Sequence, residues 1–241
     1  PAPATRPPAI DYVGALLLVA LTILLTLLVD RRSAETIGLG RQGFMAALFA
    51  ATLAGFLIHE RRTGNPVVNL ALFRIRMFSF SVVSLLVVAT TSSVLTLLLP
   101  FYMQDVLHKS PSFMGLVFLA APVFTIGLAP LIGRLTDRIG PRIPTSIGVL
   151  VTMAAFLVGT SLGIDSHWVL PTVLMALTGL GQGFFNTANQ TGLLASVPRE
   201  YRGFATGMVQ MVFGLGALLG TSLGSVLLTV MFRYATGVPD A

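Results

Sequence analysis

The chain has 241 residues, of which 54% are hydrophobic and 10% charged, and its mean hydropathy is +0.87. So little polar surface cannot coat a water-soluble globule of this size, which excludes a soluble domain and makes the lipid bilayer the expected surroundings. The formal net charge of +6 comes from basic residues spread over short segments, so nucleic acid is not an expected partner.

Seven apolar runs contain none of the charged residues and predict seven transmembrane helices. Crossing roughly 30 Å of hydrocarbon takes about 20 apolar residues at a rise of about 1.5 Å each. Six runs reach or nearly reach that length, whereas the run 43–58 needs Gln42 and His59 at its rims. The runs are residues 12–29, 43–58, 77–103, 112–133, 143–164, 168–198 and 203–232. The predicted fold class is therefore an all-α integral membrane protein.

The spacing of these runs divides the chain into unequal groups. Residues 1–11 read as a Pro-rich linker, and 12–59 as a pair of helices. The long segment 60–76 contains turn-forming residues at positions 64–66 and is the best internal boundary. Tight connections join the remaining five helices, which should pack as one bundle over 77–232, followed by a tail, 233–241. Without an initiator methionine, the sequence is expected to be a piece of a longer chain.

The distribution of basic residues between alternate connections predicts the orientation. One side carries ten basic and four acidic residues, whereas the other carries five of each and cancels. The basic residues of the first side are Arg6, Arg61, Arg62, Arg74, Arg76, Arg134, Arg138, Arg142, Arg199 and Arg202. We therefore expect a plasma (cell inner) membrane protein with a cytoplasmic N-terminus, a cytoplasmic segment 60–76 and an external C-terminus.

A hydroxyl cluster lies midway along the third predicted helix, at Thr90, Thr91, Ser92 and Ser93. Such hydroxyls can bond to the carbonyl three or four residues back, which favours packing or a local bend.

A charged motif, residues 133–142, connects the fourth and fifth predicted helices. Its patterned positions are Gly133, Leu135, Asp137, Arg138, Gly140 and Arg142. The glycines permit a turn, the carboxylate suits a helix N-terminus, and the arginines suit phosphate groups or a carboxylate. Two interpretations are open, simple anchoring of a cytoplasmic segment and a latch that holds one conformation.

The sixth predicted helix carries four amides at steps of one, three or four residues. These are Gln182, Asn186, Asn189 and Gln190, which share one helix face, flanked by Phe184 and Phe185. Polar groups inside a membrane are costly unless they are paired or used. The stripe is therefore either a functional surface or a set of hydrogen bonds between helices.

The seventh predicted helix contains small residues at four-residue spacing. Gly216, Gly220 and Gly224 form a stripe that Gly203 and Gly207 extend towards the cytoplasmic end, and such stripes let helices approach closely. Static packing and a helix that slides are both compatible with the pattern.

Gln210 lies in the same helix between Met208 and Met211. Methionines make a pliable apolar wall, so this segment is a further candidate for contact with varied substrates.

The motif at 133–142 resembles the loop motif of the major facilitator superfamily, in which all six patterned positions match. Residues 197–207 are similar to the loop and helix start in the last third of fourteen-helix drug:proton antiporters, and the glycines at 179, 181 and 183 fit as well. Nearly the whole chain thus resembles helices seven to thirteen of such a permease. The first two helices would be the extra central pair.

The resemblance implies a partial major facilitator fold, without the six-helix N-terminal half and the final helix. It also implies that the third and sixth helices line a central cavity for a small-molecule substrate. The cavity candidates are Gln182, Phe185, Asn186, Asn189, Gln190, Thr90, Ser93 and Gln210. No ionisable residue lies within a predicted span, although proton coupling normally requires one, so coupling is expected in the N-terminal half.

The predicted function is proton-coupled export of small amphipathic organic compounds by alternating access. An enzyme is not expected, because the histidines lie at rims or connections and no pair of intramembrane acids occurs. With no cysteine and no metal-binding spacing, neither a metal nor a cofactor is predicted. The alternatives are an uptake permease for a polar solute, which would use the amide stripe, and a non-transporting half-permease or scaffold.

Overall fold

A computed structural model of the chain describes residues 11–29, 39–63 and 70–236. All regular structure in these residues is helical, which confirms the predicted fold class. The helices are α1 (Tyr12–Val29), α2 (Leu39–Arg62), α3 (Arg76–Phe101), α4 (Pro111–Ile139), α5 (Arg142–Gly159), α6 (Val169–Ala195) and α7 (Arg202–Thr236). The predicted linker up to residue 10, the turn at 64–66 and the tail beyond residue 236 lie outside the described residues.

Six of the described helices, α2 to α7, are long and apolar enough to cross a membrane. The apolar part of α1, Tyr12–Leu28, lies at the lower limit of about 17 residues for a span. The sequence marked 43–58 as the shortest run, but α2 extends it at both ends to 24 residues. Polar residues at the rims therefore continue the helix rather than end it.

The chain divides into two compact units, residues 1–74 and 75–241. In the first unit α1 packs against α2. Asp11 immediately precedes α1, and its Oδ1 accepts a hydrogen bond from the backbone N–H of Gly14 at 2.9 Å. Both carboxylate oxygens of Asp11 also lie 3.0 Å from Nε2 of His59 in α2. One side chain thus caps the first helix and joins it to the second.

Helix α6 is the centre of the second unit, because it packs against α3, α4 and α5. Its glycines allow this close approach. Gly179 lies against the backbone of Ala121 in α4, and Gly181 against Thr152 in α5, so a Cβ at either position would collide. The Thr125 hydroxyl donates to the Gly179 carbonyl at 2.7 Å and joins α4 to α6. The glycine pair therefore sets the spacing of three helices.

Helix α7 packs along α3 through the middle of its glycine stripe. A Cβ on Gly216 would lie 2.6 Å from the Cβ of Ala89, and one on Gly220 would collide with the carbonyl of Thr90. Gly224 lies against Leu97 in the same way. By contrast, no described atom lies within 4 Å of a Cβ built on the glycine at 203 or at 207. The close contact therefore stops short of the first turns of α7.

The charged motif is mostly helical, which corrects its interpretation as a connecting loop. Helix α4 continues to Ile139, so Gly133 lies inside a helix and only Gly140 and Pro141 separate α4 from α5. Gly140 has φ +78° and ψ 167°, a conformation that side chains with a Cβ avoid. The motif extends α4 because charged residues at a membrane rim are solvated there and need no break in the helix.

Candidate functional site

A cleft of about 220 Å³ lies between α3, α6 and α7 in the second unit. We call it the amide cleft, because four of its lining side chains are amides. It is lined by Leu85, Asn186, Asn189, Gln190, Val209, Gln210 and Phe213. Helical spacing places the three amides of α6 on one face, and α7 presents Gln210 towards them. Four of the residues singled out in the sequence thus meet in one cavity.

The amides divide into those that join helices and those that have no partner. The Asn189 side chain is 4% exposed and donates to the Ser81 carbonyl of α3 at 3.1 Å. The side chains of Asn186, Gln190 and Gln210 form no hydrogen bond with any other residue that the structure describes. Asn186 is half-buried, whereas Gln190 and Gln210 are exposed, so these amides are open to water or to a ligand in the cleft.

Gln182 belongs to the joining group. Its side-chain amide donates to the Ser92 hydroxyl of α3 at 3.1 Å, and it does not line the amide cleft. The interpretation as hydrogen bonds between helices is therefore confirmed for Gln182 and Asn189, whereas substrate binding stays a prediction for the amides that line the cleft. One part bonds α6 to α3, and the other part faces the cleft.

Three further cavity candidates lie in helix contacts. Phe185 is fully buried, and its backbone lies against Gly148 of α5. Thr90 and Ser93 lie beside Gly220, and their hydroxyls donate to carbonyls four residues back at 2.8 and 2.9 Å. The hydroxyl cluster thus contributes to the packing of α3 on α7.

The sequence does not mark the apolar residues that complete the cleft as site residues, because most of the chain is apolar. Leu85 lies one turn beyond Ser81, and Phe213 lies three residues beyond Gln210 on the same face of α7. The spacing from Gln210 could have indicated Phe213. Only the packing of α3 on α6 places Leu85 there.

The cleft can bind a small molecule through amides and an apolar wall. The amides donate and accept hydrogen bonds without carrying charge, and no lining residue is ionisable among those described. Pockets that combine apolar walls with a few polar groups are typical small-molecule sites. The cleft therefore favours an amphipathic ligand with neutral polar groups.

The charged side chains of the motif at 133–142 are all available for other contacts. Asp137, Arg138 and Arg142 are exposed and form no ion pair in the described part of the chain. Pro141 instead packs against α6, where a Cβ on Gly192 would lie 3.1 Å from its Cβ. The turn is thus fixed to the centre of the bundle, while the charges remain free.

Apolar helices that pack through glycines around a partly polar cleft define a multi-pass membrane protein. A family model described as the Major Facilitator Superfamily matches residues 80–238. The chain belongs to this superfamily, whose members are transporters rather than enzymes.

Several curated relatives of this superfamily are similar to most of the chain. The tetracenomycin C resistance and export protein of Streptomyces glaucescens is 31% identical over 186 residues, or 77% of this chain and 34% of its own length. The riboflavin transporter RibZ of Clostridioides difficile is 27% identical over 226 residues, which cover 93% of this chain and 48% of the transporter's own length. The multidrug resistance protein Stp of Mycobacterium tuberculosis is 31% identical over 181 residues, which cover 74% of this chain and 33% of the length of Stp. The chain thus spans between a third and a half of these relatives.

Proposed function

We propose that the chain is part of a secondary transporter that exports small amphipathic organic compounds in exchange for protons. The amide cleft forms part of its substrate site. The observation that carries this proposal is the meeting of three unpaired amides, Asn186, Gln190 and Gln210, beside the apolar wall of Phe213. Two relatives bear names that refer to drug export or resistance, which agrees with export of such compounds.

The complete transporter has a fourteen-helix arrangement in this proposal. A six-helix N-terminal half of the same chain faces the second unit, and the two halves alternate in exposing the cleft to each side of the membrane. The cytoplasmic face carries the arginine-rich connections. No ionisable residue is found among the described residues that line the cleft, so we place the proton-carrying groups in the N-terminal half.

The motif at 133–142 acts as a latch in the same proposal. Asp137 and Arg138 are exposed at the end of α4, and Gly140 holds the turn beside them. Free charges on a fixed turn are suited to pair with another segment in one conformation and to separate in the other.

Substitution of the unpaired amides tests the proposed site. In the complete protein, Asn186→Leu and Gln210→Leu keep the side-chain size and remove the hydrogen-bonding groups. We expect the apparent KM for a transported dye to rise about two- to tenfold for each, since a net hydrogen bond is worth about 0.5–1.5 kcal/mol. The matched control is Gln104→Leu, an exposed amide outside the cleft. An unchanged KM in both cleft variants would contradict the assignment.

Uptake of a polar solute is the second candidate. It is favoured by the hydrogen-bonding capacity of the cleft and agrees with transport of a polar compound by the riboflavin transporter, whose similarity covers 93% of the chain. Reconstitution of the complete protein in vesicles with an imposed pH gradient separates the two candidates. Movement of substrate against the proton flow supports export, and movement with the proton flow supports uptake.

A further inference from the structure

A second cavity, larger than the amide cleft, lies towards the other end of the five-helix unit. Its volume is about 530 Å³, and it shares no lining residue with the amide cleft. Along α3 the nearest residues of the two cavities are Leu85 and Val94, about 13 Å apart at the rise of a helix. We call this space the apolar cavity.

The wall of the apolar cavity is hydrophobic with a single charged group. Leu99 and Leu174 form its base, and both are almost fully buried. Phe156 of α5 and Leu228 of α7 contribute further apolar surface. Asp105 is the one charged residue among the described residues that line it. The cavity therefore combines a large apolar volume with one carboxylate.

An irregular turn of backbone carries this carboxylate. Helix α3 contains Pro100 and ends at Phe101, after which residues 102–106 form a π-helical turn. The Leu107 N–H donates to the Tyr102 carbonyl at 3.1 Å, five residues back. Since a π turn takes more residues than an α turn, it rotates Asp105 away from its α-helical direction. The Tyr102 hydroxyl donates to the Gly163 carbonyl at 2.8 Å and fixes the segment.

Asp105 has no counterion within the described chain. The nearest basic residue in sequence, Lys109, places its Nζ 5.9 Å from the ring centroid of Phe113. Neither an ion pair nor a hydrogen bond joins the Asp105 side chain to another described residue. The carboxylate is exposed and so remains available at the cavity.

We propose that the apolar cavity binds an amphipathic organic monocation. The apolar body of the ligand lies against Leu99, Phe156 and Leu174, and its cationic centre lies beside the Asp105 carboxylate. The carboxylate attracts a cation and repels an anion of the same shape. The apolar walls lower the local dielectric constant, which increases the difference in binding free energy between the two ions. This inference concerns binding alone and does not depend on transport through the amide cleft.

Equilibrium binding of two ions of the same shape tests this inference in the complete protein. Tetraphenylphosphonium is the cationic probe and tetraphenylborate its anionic counterpart. We expect tighter binding of the cation, and a loss of about three- to fivefold in its affinity in Asp105→Asn. The matched control is Asp165→Asn, an exposed acid that does not line the cavity and that should leave the affinity unchanged.

A second variant locates the bound probe. Gly159 lines the cavity, and a Cβ there makes ordinary contact with Leu174 at 3.7 Å, so Gly159→Leu should fill the space and weaken binding of the cation. Unchanged cation affinity in Asp105→Asn overturns the proposal, as does an equal loss in Asp165→Asn. Equal affinity for both ions would also overturn it, because it would make the cavity a purely apolar site, such as one for a lipid chain.

Discussion

At the scale of single residues, glycines and one carboxylate determine the local geometry. Gly140 turns the chain between α4 and α5 in a backbone region that is nearly restricted to glycine. Asp11 caps α1 and pairs with His59 of α2, so the start of one helix depends on the end of the next. The Asp11 side chain thus marks where α1 begins, and the lack of a side chain at Gly140 lets α4 end there.

Substitution of Gly140 by alanine should destabilise the protein. The Cβ is strained at φ +78° and ψ 167°, and we expect a loss of about 1–3 kcal/mol in the free energy of unfolding. The matched control is Gly133→Ala, since Gly133 lies inside α4 with nothing described within 4 Å of its Cβ. The control should be neutral or stabilising. Chemical denaturation in detergent measures both, and equal effects would contradict this account.

Neutralising Asp11 should loosen the first turn of α1. The Gly14 N–H, and after it His59, lower the pKa of the Asp11 carboxyl below its usual value of 3.8. A lowered pKa in the folded state means that the charge stabilises this turn above about pH 3.8. The stabilisation is lost as the pH falls through the lowered pKa.

Hydrogen exchange at the start of α1 measures this effect. At neutral pH, Asp11→Asn should speed exchange of the Gly14 amide modestly, because asparagine still caps a helix. Asp11→Ala should speed it more, because both the cap and the charge are lost. In Asp11→Asn the acid dependence should disappear, and persistence of that dependence would show that another group titrates.

At the scale of elements, glycine contacts govern how the helices of the second unit pack. Lipid supplies no hydrophobic drive between helices, so close backbone contact must provide the attraction. Helix α6 uses Gly179 and Gly181 to contact two neighbours, and α7 uses Gly216 and Gly220 to contact α3. The amide cleft opens beside this contact, between side chains of α3, α6 and α7.

A methyl group in the α3–α7 contact should therefore separate the two helices. Gly220→Ala places a Cβ against the Thr90 carbonyl, and we expect a loss of about 1–3 kcal/mol from overpacking. Gly207→Ala is the control in the same helix, because no described atom lies within 4 Å of its Cβ. Thermal unfolding in detergent compares them. A similar change in melting temperature for both would show that α7 does not depend on this contact.

At the scale of the whole molecule, the charge distribution predicts the orientation in the membrane. These 241 residues contain no cysteine, so labelling of a single cysteine introduced among them is compared with labelling of the parent protein without the substitution. An impermeant maleimide should label Ser110→Cys in intact cells and Pro198→Cys only after permeabilisation. Both positions are exposed in the structure. The reverse pattern would overturn the predicted orientation.

The size of the native polypeptide tests the proposed two-half architecture. An antibody raised against residues 60–76 should detect a band of roughly twice the length of this chain in source membranes. A band at 241 residues would support the half-permease alternative and direct the search to a partner subunit.

The sequence determined the membrane class, the positions of the helices and the family, because charge exclusion and motif spacing are local properties of the chain. It also singled out the amides of α6 and Gln210. Only the tertiary structure decided which amides are used for packing: Asn189 bonds to Ser81 at the wall of the cleft, whereas the side chains of Asn186 and Gln190 face the cleft without a partner. A helix face predicts which side chains lie together, but the neighbouring helix decides whether they meet a partner or a cavity.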